Sequence, residues 1–108
     1  MTSEISATKK LTPFDYTLSI IGGKWKMKIM YQLKSNEVLR YGDLKRNIPG
    51  ITHKMLSLHL SDLEQDGIVQ RVEYPQIPPK VEYSLTAQGQ SLLPILEAMC
   101  LWGVKNQP

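Results

Sequence analysis

Thr52, His53, Lys54, Ser57, Leu58 and Ser61 fall within ten consecutive residues of this chain. Their types suit the gripping of a polyanion better than the making or breaking of a bond. A lysine can neutralise a phosphate or donate to guanine acceptors, serines can donate or accept at a base edge, and an outward leucine can meet a thymine methyl. Lys45 and Arg46 lie shortly before this stretch, and Arg71 and Lys80 follow it. Any one of these cations alone reads as a solvated surface residue, so the meaning lies in the cluster.

Reaction chemistry finds no matching constellation. The sequence has no glycine-rich phosphate loop, no paired acids in a motif, and no serine or cysteine nucleophile with a recognisable partner, so no enzyme is expected. His53 and His59 are six residues apart, which does not place them on one helical face for a shared metal, and no cysteines lie nearby. Both are expected to be satisfied or solvated. No metal and no cofactor is expected.

The elements that must position the cluster can be read from periodicity. Leu56, Leu60 and Leu63 recur on one side of a helix over 52–66, with Thr52 as its N-cap and Gly67 as its stop. The opposite side presents Lys54, Leu58 and Ser61, flanked by Ser57 and Asp62. His53 and Lys54 occupy the first turn, where unpaired amides and the helix dipole favour an anion.

Upstream, Pro13 opens a helix that Gly22-Gly23 closes, and Trp25, Ile29, Met30 and Leu33 recur at helical spacing over about 24–35. Val38 to Tyr41 is a short extended stretch, and Gly42-Asp43 start a brief helix that ends at Pro49-Gly50. Downstream, Ile68–Tyr74 and Val81–Leu85 alternate apolar and polar residues around PQIPPK, which gives a hairpin with a proline-stiffened tip over 68–85. Thr86 then caps a long segment over 86–105 that Pro94 bends or restarts. Residues 1–12 read as a flexible N-terminal arm ahead of one domain over 13–105.

That order describes a mainly α (α+β) fold, a winged helix-turn-helix with a two-stranded β-hairpin wing and a C-terminal dimerisation helix. The helix over 52–66 is its recognition helix, and the expected partner is double-stranded DNA.

The chain has 108 residues, 13 Lys plus Arg against 10 Asp plus Glu for a net charge of +3, and a pI near 9.0. This permits an anionic partner without demanding one. No stretch is apolar enough to span a membrane or to act as a secretory signal, and the lone Cys100 cannot form an intrachain disulfide. A cytoplasmic location is therefore expected. The bland reading of Cys100 is a small apolar residue buried in a helix interface.

The strings DYTLSIIGGKWKMKIMYQL, RYGDLKRNIPGITHKMLSLHLSDLEQDGIVQR and YPQIPPKVEYSLTAQGQSLLPIL resemble the HxlR-type regulators of the MarR-like winged-helix group over about residues 13–103. The resemblance implies bacterial transcription control by a homodimer on a palindromic operator. It also implies sensing through a cysteine just ahead of the first helix. This sequence has Thr12-Pro13 there, which leaves that redox mode without its residue. A small-molecule or redox effector stays open, as do the target genes and the sign of regulation.

The terminal helix carries apolar residues at 92, 93, 95, 96, 99, 100, 101, 102 and 104, too wide a stripe for one neighbour in so small a domain. A second copy would cover it, with Leu96, Met99 and Trp102 in the interface and the first helix sharing it through Phe14, Leu18 and Ile21. The aromatics Tyr16, Trp25 and Trp102 could instead line an effector pocket, although such residues are more often core. The competing reading is a winged-helix protein-interaction module without direct DNA binding. Such a module should lack the basic residues His53, Lys54, Arg71 and Lys80. RNA ranks lower for want of aromatic stacking platforms.

Overall fold

The computed structural model describes residues 11–108, so most of the expected N-terminal arm lies outside the described residues. Thr12 is no part of a free arm. Its hydroxyl accepts the Asp15 amide at 3.1 Å and caps α1 (Pro13–Ile21). Next come α2 (Lys26–Asn36), β1 (Val38–Arg40), α3 (Tyr41–Asn47), α4 (His53–Gln65), β2 (Val69–Tyr74), β3 (Lys80–Leu85), α5 (Ala87–Gln90) and α6 (Leu93–Asn106). This is the expected winged helix-turn-helix, mainly helical with a small antiparallel sheet.

The sheet has three strands in the order β1-β3-β2. The hairpin pairs Val69 with Leu85 through to Tyr74 with Lys80, and β1 adds to its other side with Leu39 opposite Tyr83. The extended character of 38–40 is visible locally. Its pairing is not, because the partner strand lies more than forty residues away along the chain.

The core forms where helix faces converge on that sheet. Ile29, Met30 and Leu33 of α2, Leu44 of α3, and Leu56, Leu60 and Leu63 of α4 are buried together with Ile68 and Val69. Each such side chain contributes about 1.5–3 kcal/mol by leaving water. These contacts seat α4 with one face inward and leave its other face to solvent.

The boundaries have local causes. Helix α2 starts at Lys26, two residues later than its apolar spacing suggests, because Gly23 turns through a φ of 95°. Helix α3 starts one residue early, with the Arg40 amide donating to Asp43 Oδ2 at 3.1 Å. Gly67, at φ 76°, supplies the left-handed turn that ends α4 and lets the Ile68 amide donate to the Leu63 carbonyl at 2.9 Å. The terminal segment restarts at Leu93 with Pro94 in its first turn, so the proline costs no interior hydrogen bond. Lys34 Nζ donates to Glu97 at 2.9 Å and ties α6 to α2. No helix among the described residues is long and apolar enough to cross a membrane.

Candidate nucleic-acid interface

Thr52 organises the start of α4 by accepting the Met55 amide at 3.1 Å. This commits one acceptor site of its hydroxyl to the cap. His53, Lys54, Ser57, Leu58 and Ser61 are exposed, and Lys54 forms no ion pair among the described residues. Leu58 is 51% exposed, an apolar residue held outward on the face opposite the core. Asp62 would put negative charge beside this face, but Lys26 Nζ lies 3.6 Å from its carboxylate.

The Tyr41 hydroxyl stands at the centre of the first turn. It lies 3.2 Å from His53 Nδ1, 3.0 Å from the His53 carbonyl oxygen and 3.1 Å from Ser57 Oγ. The tyrosine and imidazole rings stack with centroids 5.8 Å apart and planes 5° from parallel. Beside this network a cleft of about 320 Å³ opens between α4 and the hairpin, and its walls include Tyr41, Ser57, Ser61, Glu64 and Arg71. The sequence gives no sign of Tyr41, since a tyrosine at the head of α3 meets α4 only through the fold.

The hairpin cations are less free than their positions along the chain suggest. Arg71 pairs with Glu73 at 3.2 Å, and a hydrogen bond to Tyr83 is the main cause that pushes its pKa further up. Lys80 stands at the first position of β3, not at the tip, 3.5 Å from Glu82 and 4.8 Å from the centroid of the Tyr74 ring. The tip presents the exposed Ile77 instead. On α3, Arg46 is exposed and pairs with Asp43, while Lys45 is half-buried.

His59 departs from expectation. Its Nδ1 is buried and has no hydrogen-bond partner among the described residues, so that nitrogen is neither satisfied nor solvated.

The expected dimer residues divide into two groups. Phe14, Leu18, Met99 and Trp102 are exposed, Trp102 at 69%. Ile21 at 5% and Leu96 at 4% are closed inside the chain's own core, so neither offers the exposed apolar surface that the expected dimer contact needs. Cys100 is exposed on the single chain, so no helix among the described residues supplies the interface expected to bury it. Tyr16 and Trp102 are likewise exposed and only Trp25 is half-buried, so the three do not form a common core. An apolar groove of about 450 Å³ runs instead between α2 and α6, past Met27, Tyr31, Ile48, Met99 and Cys100, with Lys24 and Lys28 at its edge.

Comparison with known proteins agrees with this geometry. A family model described as HxlR-like helix-turn-helix matches residues 20–108. An uncharacterized HTH-type transcriptional regulator of Halalkalibacterium halodurans is 62% identical over 96 residues, covering 89% of this chain and 85% of the relative. The HTH-type transcriptional regulator YdzF of Bacillus subtilis is 55% identical over 95 residues, covering 88% and 87%. Among solved structures, the redox regulator HypR in its oxidized form superposes with a TM-score of 0.84 at 46% identity, covering 90% of this chain and 99% of that one.

Proposed function

This chain belongs to the HxlR-like helix-turn-helix family of DNA-binding transcriptional regulators, and we propose that it acts as a homodimer that lays α4 of each copy into the major groove of a palindromic operator. The observation that carries the reading is the division of α4 into two faces. Leu56, Leu60 and Leu63 are locked inside, while Lys54, Leu58 and Ser61 face solvent. That face holds a cation for phosphate or guanine, hydroxyls for base edges and an apolar group for a thymine methyl. Thr52 and His53 belong to the same first turn, where the positive end of the helix dipole favours a phosphate.

Lys45, Arg46, Arg71 and Lys80 serve as flanking contacts to the sugar-phosphate backbone. Three of them are held by carboxylates in the free chain, and exposed pairs of this kind are weak enough to be exchanged for phosphate. Their role is to add charge around the reading helix, not to choose the sequence.

The homodimer reading rests on apolar surface left without cover. Phe14 and Leu18 on α1 and Met99 and Trp102 on α6 are exposed, and the groove between α2 and α6 continues this surface through Met99. A two-fold pairing of these faces removes them from water and presents two reading helices to half-sites about 10 bp apart or a multiple of it. The test has two parts. Sequencing of protein-bound genomic DNA should return a palindromic site, and Trp102→Glu should yield monomers in sedimentation with loss of operator binding. Enrichment of no common sequence, or an intact dimer in the Trp102→Glu protein, would refute the corresponding part.

A further inference from the structure

The three contacts of the Tyr41 hydroxyl fix where its single proton goes. Of the three partners, the His53 carbonyl oxygen is the one with no proton to offer, and at 3.0 Å it is a direct hydrogen-bond contact. The tyrosine proton therefore goes to that carbonyl. Ser57 Oγ at 3.1 Å and His53 Nδ1 at 3.2 Å must then each donate to the tyrosine oxygen. This assignment satisfies all three contacts at once. It also spends the only proton of Ser57, so that the serine presents lone pairs alone to anything outside the protein.

We propose that Tyr41 is a positioning residue for recognition: it fixes Ser57 as a hydrogen-bond acceptor and so sets which bases Ser57 reads. This rests on the reading of α4 as the helix that enters the major groove. Within that groove the donors are the amino groups of adenine and cytosine, while phosphate oxygens and the keto groups of guanine and thymine only accept. A serine with its proton bound inward cannot serve phosphate, so Ser57 selects an amino-bearing base on the strand it faces. His53 is fixed by the same oxygen, with Nδ1 protonated and Nε2 turned away from the tyrosine.

The test is competition binding of the full chain to its selected operator, with every base pair substituted in turn. The wild type should show one position per half-site where adenine or cytosine outcompetes guanine or thymine. Tyr41→Phe, which keeps the ring and removes the hydroxyl, should flatten that preference by about 2- to 10-fold, the worth of one hydrogen bond. The other positions should keep theirs. Ser57→Ala should flatten the same position, and the double variant should lose no more than either single one.

Retention of the full preference in Tyr41→Phe while Ser57→Ala loses it would overturn the proposal and leave the DNA-binding reading standing. Absence of any base preference in the wild type would instead sink the DNA-binding reading and this inference with it. Nitrogen-15 spectra of the wild-type protein give a check that depends on no variant. The neutral His53 ring should carry its proton on Nδ1, and a ring protonated on Nε2 alone would overturn the assignment.

Discussion

Lys26 Nζ lies 3.6 Å from the Asp62 carboxylate, and this pair joins the start of α2 to the flank of α4. The lysine side chain is only 12% exposed, so it is spent on the protein's own acid and is not available to a ligand. Its electrostatic effect is to offset the negative charge of Asp62 beside the exposed face of α4, the face proposed to meet DNA.

Lys26→Met should therefore weaken operator binding and also lower stability by about 1 kcal/mol, the range for a partly shielded pair that loses one member. Adding Asp62→Asn should restore most of the binding, since it removes the uncompensated acid. Equal operator affinity in Lys26→Met and wild type, measured by fluorescence anisotropy, would show that the pair does not shield the interface.

Two leucines two residues apart on α4 should behave oppositely. Leu56 is fully buried, so Leu56→Ala should cost about 2–5 kcal/mol in a urea melt. Leu58 is half exposed, so Leu58→Ala should change stability by no more than about 0.5 kcal/mol while reducing operator affinity. A large stability loss for Leu58→Ala would mean that the helix faces are assigned wrongly.

Salt should separate the cations. Lys54 has no ion pair among the described residues, whereas Lys80 is shared with Glu82. Lys54→Ala should lower the slope of log affinity against log salt by about 1, and Lys80→Ala by less. The reverse order in gel-shift titrations would move the main phosphate contact to the hairpin.

Alkaline pH should loosen α6. The hydrogen bond to Glu97 raises the Lys34 pKa, so its contribution is fully present below the unfolded value of about 10.4 and is lost as pH rises through the folded value. Thermal melts of wild type and Lys34→Met should differ by a constant amount near neutral pH and converge above that range. A constant difference throughout would show that the bond adds nothing.

Much of this was legible because the signals are local. The i, i+4 and i+7 spacing of Leu56, Leu60 and Leu63 orients α4, Thr52 and Gly67 mark its ends, and three prolines mark the hairpin tip. The features that escaped depend on pairings between distant segments. Tyr41 precedes Ser57 by sixteen residues and reaches it only after α3 and α4 pack. Glu73 and Glu82 occupy Arg71 and Lys80 because the strand register places them there. The periodicity that marked Ile21 and Leu96 as apolar could not say whether their own chain or a second copy covers them, and the core claims both.

Contact between the outward face of α4 and DNA can be read residue by residue in amide and side-chain NMR of the full chain titrated with its selected operator. The largest shifts are expected at His53, Lys54, Ser57, Leu58 and Ser61, with smaller ones at Arg71 and Lys80. Saturable binding that leaves α4 unshifted and moves resonances elsewhere would contradict that contact.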